Sequence, residues 1–223
     1  MRAALILNPH SGGGNGLKVL PQIESALKAR QFPYDIFTSQ YHEHIPQICR
    51  DLDKNRYTCA AAIGGDGTNF QVVNGLLNGP TSADPLPVAI IPTGSGNSFA
   101  LDLGINSVQS GIEALIRQQT RRVDVCSFTQ GEKNIYFVNL AGFGFVTDVA
   151  RTASKLKIFR DFSYVIGVLY RLAGLKFHKI DLEIDGRIIS GDNCFVEFCN
   201  SRYTGGNMLM APSAKIDDGL MDI

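Results

Sequence analysis

Short, mostly apolar runs alternate with stretches of helical periodicity in the first half of the chain. The runs predict strands that are buried on both faces of a sheet, and they are Ala3–Leu7, Tyr34–Thr38, Cys59–Ile63 and Leu86–Ile91. Between them, apolar residues recur every three or four positions. This spacing predicts helices over residues 17–27, 45–52 and 69–77 and a further helix after residue 97. Strands that alternate with helices in this way indicate a parallel sheet with helices on both faces.

From about residue 123 the pattern changes to strands without regular helical crossovers. The predicted strands are Val123–Phe128, Ile135–Leu140, Ile180–Ile184, Cys194–Cys199 and Met208–Met210, interrupted by two helices over residues 146–157 and 162–175. We therefore expect an α/β domain over residues 1–122 and a β-rich, antiparallel domain over residues 123–223. Residues 219–223 resemble the start of another strand, so we expect the natural chain to continue beyond them.

Composition narrows the class of protein. The 223 residues include 21 basic and 21 acidic side chains, and this neutral balance argues against a nucleic-acid partner. Five cysteines without C-x-x-C spacing argue against a disulfide framework or a zinc site. The first apolar run is too short for a signal peptide, and no stretch approaches the roughly 18 apolar residues of a membrane span. We expect the protein to be cytoplasmic, and we leave open whether it also contacts a membrane peripherally.

Three glycine-rich segments each follow a predicted strand and precede a predicted helix. They are Ser11–Gly16, Gly64–Thr68 and Thr93–Asn97. Ligands bind an open parallel sheet at the carboxyl ends of its strands, where glycine lets the backbone approach a phosphate. Neither G-x-G-x-x-G nor G-x-x-x-x-G-K-[ST] is present, which argues against a standard dinucleotide fingerprint and a P-loop. Asp66 lies between glycines, where it suits a general base or a magnesium ligand, although Asp also closes ordinary turns.

The order of the motifs along the whole chain resembles the diacylglycerol kinase catalytic-domain family, which includes bacterial lipid kinases, sphingosine kinases and ceramide kinases. The matching motifs are Asn8-Pro9 with Ser11–Gly14, Gly64–Thr68 with Val72–Gly75, Pro92–Ala100, Gly205-Gly206, Ala211-Pro212 and Asp217–Asp222. The resemblance implies an enzyme that uses ATP and Mg²⁺ to phosphorylate a hydroxyl group of a lipid, such as diacylglycerol or a sphingoid base. It also implies that the first domain binds ATP and the second the lipid.

The resemblance assigns roles to individual positions. Asp66 matches the residue taken as the catalytic base in the sphingosine kinase branch. Nucleotide contacts are implied for Asn8, Thr38, Gly64, Gly65, Asp66, Gly67, Thr68, Asn69, Phe70, Gly94, Ser95 and Gly96. A magnesium site is implied at Lys215, Asp218 and Leu220, with the Lys and Leu acting through their carbonyl oxygens, although an Asp-Gly pair also favours a simple hairpin turn.

Three departures from the family leave alternatives open. Gln71 stands where the family usually has Glu, and Asn97-Ser98 replaces the Asn-Asp of bacterial members. The family's chain also continues past the position of Ile223, so this segment is expected to be incomplete and inactive alone. NAD kinases and phosphofructokinases share Gly-Gly-Asp-Gly, and a non-catalytic nucleotide-binding or regulatory module is a further alternative. The oligomeric state stays open, with a homodimer as one option.

The segment Phe159–Leu175 combines an apolar helical face with Arg160 and Arg171. Such a helix suits contact with an anionic membrane surface, because the arginines attract acidic head groups. A helix packed into the core is the alternative interpretation.

Overall fold

The computed structural model describes residues 2–80, 83–144 and 177–223. Four parallel strands form one sheet in the order β2-β1-β3-β4. They are β1 (Ala3–Leu7), β2 (Tyr34–Thr38), β3 (Cys59–Gly64) and β4 (Val88–Pro92). The prediction of a parallel sheet in the first half of the chain is confirmed.

Helices cover both faces of this sheet. They are α1 (Asn15–Ala29), α2 (His44–Arg50), α3 (Asp66–Leu77), α4 (Ser98–Asp102) and α5 (Val108–Arg117). Alternate residues of β1 face opposite cores: Ile6 packs with α2 and α3, whereas Leu5 packs with α1 and α5. Because both faces are buried, the inner strands β1 and β3 carry apolar residues or glycine at every position, which explains their unbroken runs. The edge strand β2 is only partly buried and carries Asp35.

Helix α3 begins three residues earlier than its periodicity predicts. Asp66 is its first residue, and Gly65 precedes it in an extended conformation as the N-cap. The predicted start at Asn69 was wrong because the Gly-Asp-Gly sequence suggests a loop, while an acidic residue is in fact favourable in the first turn of a helix. The consequence is that Asp66 to Asn69 form the first turn of a helix rather than a loop.

The other strands described pair antiparallel, which confirms the β-rich second part of the prediction. The pairs are β5 (Cys126–Gln130) with β6 (Lys133–Phe137), β7 (Leu140–Gly144) with β10 (Phe195–Cys199), β8 (His178–Ile184) with β9 (Arg187–Asn193), and β11 (Tyr203–Thr204) with β12 (Met208–Leu209). β7 and β9 were not predicted, because Gly, Ser, Asp and Asn weaken their apolar pattern. The strand expected at residues 219–223 is absent from this described stretch: Asp222 forms an isolated bridge. The Gly219 amide donates instead to the Asp124 carboxylate at 2.7 Å.

Contacts divide the chain into two compact units. The first comprises residues 1–139 and 200–222, and the second comprises residues 140–199 with Ile223. The predicted domain boundary between residues 122 and 123 stays a prediction. The predicted helices over residues 146–157 and 162–175, with Arg160 and Arg171, lie outside the described residues. Among the residues that are described, no helix has the length and apolar character needed to cross a membrane.

Candidate functional site

The ends of β3 and β4 approach each other so closely that only glycine fits there. A Cβ atom built on Gly65 would lie 2.9 Å from the Gly94 Cα, and one built on Gly94 would overlap Gly65. The two glycine-rich segments therefore touch through their backbones. We call the carboxyl ends of β1, β3 and β4, with the glycine-rich segments that follow them, the glycine edge.

The first glycine-rich segment joins the same edge. Gly12 has a φ of 56° and presses against the Thr93 carbonyl, where a Cβ atom would overlap the oxygen. The Asn8 side-chain amide donates to Thr68 Oγ1 at 3.2 Å, which connects the end of β1 to the first turn of α3. The prediction that the three segments lie together at the carboxyl edge is confirmed.

The Asp66 carboxylate joins the beginnings of two helices. From the first turn of α3, its Oδ2 accepts from the Ser98 amide at 2.9 Å and its Oδ1 from the Phe99 amide at 3.2 Å, so it caps α4. Oδ1 also accepts from the Asn139 side chain at 3.3 Å. A negative charge at a helix N-terminus is stabilising. A carboxylate offers about four acceptor positions, so the donors among the described residues leave one position on Oδ2 for a further hydrogen bond.

Asn97 closes the third glycine-rich segment. It adopts a left-handed conformation with a φ of 59°, which Asn tolerates better than most residues. Its side chain donates to the Gly94 carbonyl at 2.7 Å and accepts from the Gly94 amide at 3.0 Å. The sequence motif contained Asn97, but this role was not predicted. An Asn directly after Gly-Ser-Gly was the available signal.

Helix α4 is fixed at both ends by residues 202–206. The Ser98 hydroxyl accepts from the Gly206 amide at 2.9 Å, and Asp102 accepts from the Arg202 guanidinium at 2.7 Å and from its amide at 3.1 Å. The hydrogen bond and the charge of Asp102 raise the pKa of Arg202 above its ordinary value. The side chains at the start of α4 are therefore held in place independently of any ligand.

Buried polar atoms at the glycine edge have unused hydrogen-bonding capacity. Asn69 and Thr93 are each 1% exposed. Within the described residues, neither the amide atoms of Asn69 nor the Thr93 hydroxyl has a hydrogen-bond partner. An unsatisfied buried polar group costs about 1–3 kcal/mol. A polar ligand that supplies partners would recover part of this, so the site fits a phosphate-bearing group.

The predicted nucleotide contacts differ in their location and in their exposure to solvent. Asn8, Gly64, Gly65, Asp66, Thr68, Gly94 and Gly96 lie together at the glycine edge. Thr38 ends the neighbouring strand, β2, opposite Leu7. Ser95 is exposed, and Phe70 of α3 is 43% exposed. Gly67 has open space beside it, because a Cβ atom built there meets no described atom within 4 Å beyond its own helix and neighbours.

The three predicted magnesium ligands lie in one exposed turn. The Asp218 carboxylate accepts from the Leu220 amide at 3.1 Å, whereas Asp217 is paired with Arg121, whose nitrogens lie 2.6 and 3.0 Å away. The described part of the chain holds no cluster of three or more His, Cys, Asp or Glu side chains suited to a metal. An ion near Asp218 would therefore depend on carbonyl oxygens such as those of Lys215 and Leu220. Such an oxygen donor set fits Mg²⁺.

Comparison with known proteins identifies relatives of both parts of the chain. Residues 2–128 match the family model described as the diacylglycerol kinase catalytic domain. Residues 139–223 match the model described as the YegS C-terminal NAD kinase beta sandwich-like domain.

Individual relatives agree with these matches. A Shewanella frigidimarina protein named "Probable lipid kinase YegS-like" is 36% identical over 163 residues, which covers 72% of this chain and 52% of that protein. The match thus spans about half the length of that relative. A Staphylococcus saprophyticus protein named diacylglycerol kinase is 32% identical over 223 residues, covering 98% of this chain and 70% of its own length. The crystal structure of a diacylglycerol kinase from Bacillus anthracis superposes with a TM-score of 0.75 at 25% identity, covering 99% of this chain and 71% of that chain.

Proposed function

Because the chain belongs to the diacylglycerol kinase catalytic-domain family, we propose that it transfers the γ-phosphate of ATP to a hydroxyl group of a lipid. The observation that carries the proposal is the glycine edge. There, the backbones of Gly65 and Gly94 touch near the Asp66 carboxylate and near polar atoms of Asn69 and Thr93 that have no hydrogen-bond partner in the described part of the chain. An edge of this kind suits the triphosphate of a nucleotide, which needs close backbone approach and many hydrogen-bond donors.

In this proposal the glycine edge binds the phosphates. The first turn of α3 starts at Asp66, so its N–H groups and the positive end of its dipole lie at the edge. Gly67 leaves open space where a phosphate oxygen can approach. Asn8, Thr38, Phe70 and Ser95 complete the proposed nucleotide contacts.

Asp66 is the proposed proton acceptor. Phosphoryl transfer needs positioning and charge stabilisation from the protein more than covalent chemistry. The acceptor position left on Oδ2 can take the proton of the attacking lipid hydroxyl, while the hydrogen bonds to Ser98 and Phe99 fix the orientation of the carboxylate.

Mg²⁺ is the proposed ion, with Lys215 and Leu220 contributing carbonyl oxygens and Asp218 its carboxylate. When bound near phosphates, magnesium neutralises negative charge that develops during transfer. The turn at Asp218 presents oxygen ligands of the kind that this ion prefers.

The proposed acceptor is a lipid such as diacylglycerol, which the names of the relatives include, or a sphingoid base. We place the protein in the cytoplasm, with peripheral contact to the membrane that contains its substrate. A homodimer stays an open proposal.

The test incubates the full-length gene product with ATP and Mg²⁺ in three separate reactions, with diacylglycerol, a sphingoid base or NAD as the acceptor. Mass spectrometry then identifies the products. We expect a phosphorylated lipid in one of the first two reactions. Formation of NADP alone would instead support a NAD kinase-like enzyme. No product in any reaction, with ATP bound, would support a nucleotide-binding module and contradict the proposal.

A further inference from the structure

Among the described residues, three donors contact the Asp66 carboxylate, of which two are backbone amides of α4 and one is a side chain. That side chain is Asn139, whose Nδ2 lies 3.3 Å from Oδ1. The last torsion of an Asp side chain is soft and has broad minima, so the orientation of its carboxylate depends on its partners. The hydrogen bond from Asn139 therefore restricts rotation of the Asp66 carboxylate.

Asn139 is itself held by a buried residue. Its carbonyl accepts from the amides of Asn200 at 2.8 Å and Ser201 at 3.0 Å. The Asn200 side chain is fully buried and donates to the carbonyls of Val138 at 2.8 Å and Asp124 at 3.1 Å. The peptide units on both sides of Asn139 are therefore held by Asn200.

Val138 anchors the same segment from the apolar side. It is 5% exposed and belongs to one buried cluster with Phe99 of α4 and with Ile216. Hydrogen bonds and apolar packing therefore both hold Val138 and Asn139 in place. The Asn139 side chain in turn contacts the Asp66 carboxylate, which caps α4.

We propose that Asn139, held by Asn200, is a positioning residue that fixes the Asp66 carboxylate in the orientation that caps α4. The kinetic consequence of this role rests on the proposed function, because it matters for catalysis only if Asp66 takes the proton of the lipid hydroxyl. The structural consequence does not depend on it: losing the Asn139 donor should loosen the hydrogen bonds from Ser98 and Phe99.

The test uses two variants and a matched control. Asn139→Ala removes the donor, and Asn139→Asp replaces it with a carboxylate that repels Asp66. The control is Asn193→Asp, which makes the same chemical change at a side chain that donates to the Gly191 carbonyl at 3.2 Å in β9. Asn139 is only partly buried, so both substitutions should be tolerated by the fold.

The first measurement is amide hydrogen exchange at Ser98 and Phe99, followed by NMR. A hydrogen bond to a charged group corresponds to roughly a 10- to 100-fold change in an equilibrium. We expect exchange at these two amides to be about 10-fold faster in Asn139→Ala, faster still in Asn139→Asp and unchanged in the control. Exchange that matches the parent protein in both Asn139 variants would overturn the proposal.

The second measurement separates kcat from KM in the lipid phosphorylation reaction. We expect kcat to fall by about 10- to 100-fold in Asn139→Ala, with the KM for ATP within about twofold, because Asn139 contacts Asp66 and not the glycine backbones. An unchanged kcat together with faster exchange would overturn the kinetic consequence, because Asp66 would then be positioned by Asn139 without any effect on catalysis. If the parent phosphorylates no lipid, the proposed function fails, and the exchange measurement still decides whether Asn139 positions Asp66.

Discussion

Gly67 allows nucleotide binding to be tested without disturbing the fold. A methyl group added there enters open space, and alanine is more favourable than glycine in a helix by roughly 0.5–1 kcal/mol. We therefore expect Gly67→Ala to keep or raise the melting temperature and to weaken binding of ATP–Mg²⁺ about tenfold or more, because the methyl group meets the phosphates. Calorimetry and thermal denaturation measure the two effects.

Two other glycines provide the controls for Gly67. A Cβ atom at Gly191 would make an ordinary contact of 3.5 Å with the Asn193 side chain, so Gly191→Ala should leave ATP binding unchanged. Gly94→Ala must push against Gly65 and should lower both binding and melting temperature. Parent-like affinity in Gly67→Ala would show that phosphates do not approach the first turn of α3.

Glu197 of β10 should make stability depend on pH. It is 7% exposed, neither of its carboxylate oxygens has a partner among the described residues, and burial raises its pKa above the ordinary value. A carboxyl whose pKa is higher in the folded state than in the unfolded state, where it is about 4.3, opposes folding increasingly as pH rises above that value.

Glu197→Gln should therefore raise the melting temperature at pH 8 and have a smaller effect at pH 4, where the parent side chain is largely protonated. The exposed Glu183 of β8 gives the matched control, since Glu183→Gln changes the same charge without a buried carboxyl. An equal difference between Glu197→Gln and the parent at both pH values would contradict the expected role of ionisation.

At the scale of elements, the Asn74 side chain of α3 binds both polar backbone groups of one residue in β6. Asn74 donates to the Tyr136 carbonyl at 2.7 Å and accepts from the Tyr136 amide at 2.9 Å. Asn74→Ala leaves both backbone groups without this partner and should lower the free energy of unfolding by about 1–3 kcal/mol. Denaturant titration measures the loss.

Asn78, the C-cap residue directly after α3, is the control for Asn74. It makes a single exposed hydrogen bond of 3.2 Å to the Asn134 carbonyl, so Asn78→Ala should lower the free energy of unfolding by less than about 1 kcal/mol. Equal losses in the two variants would mean that the two hydrogen bonds between Asn74 and Tyr136 stabilise the fold no more than the single bond from Asn78 to Asn134.

The sequence predicted elements best where burial alone decides them. β1 was predicted with its observed bounds because all five of its residues are buried and apolar. The bounds of β2 were also predicted, although this edge strand is only partly buried and contains Asp35. β9 was not predicted, since its residues 190–193 are Ser-Gly-Asp-Asn and only the pairing with β8 makes them a strand. The start of α3 was predicted three residues too late for a related reason: Gly65 and Asp66 begin the helix with a sequence that is typical of a loop.

At the scale of the whole molecule, the glycine edge could be predicted and the network around it could not. Parallel strands end at the same edge of a sheet, so three glycine-rich segments after three strands were sufficient to predict that these segments meet there. The direct contact between Gly65 and Gly94 was not predicted. The partners of Asp66 are different. Ser98 lies 32 residues away and Asn139 lies 73 residues away. No local pattern connects such positions, and only the folded chain brings these donors to one carboxylate.

The activity that we propose for this protein is the transfer of the terminal phosphate of ATP to a lipid. The most direct measurement incubates the full-length gene product with extracted lipids and Mg²⁺, using ATP labelled at the γ-phosphate in one reaction and at the α-phosphate in the other. We predict label in the lipid fraction from γ-labelled ATP, none from α-labelled ATP, and a loss of the signal in Gly67→Val. An unlabelled lipid fraction in both reactions, or equal labelling from both, would contradict the transfer of the γ-phosphate to a lipid.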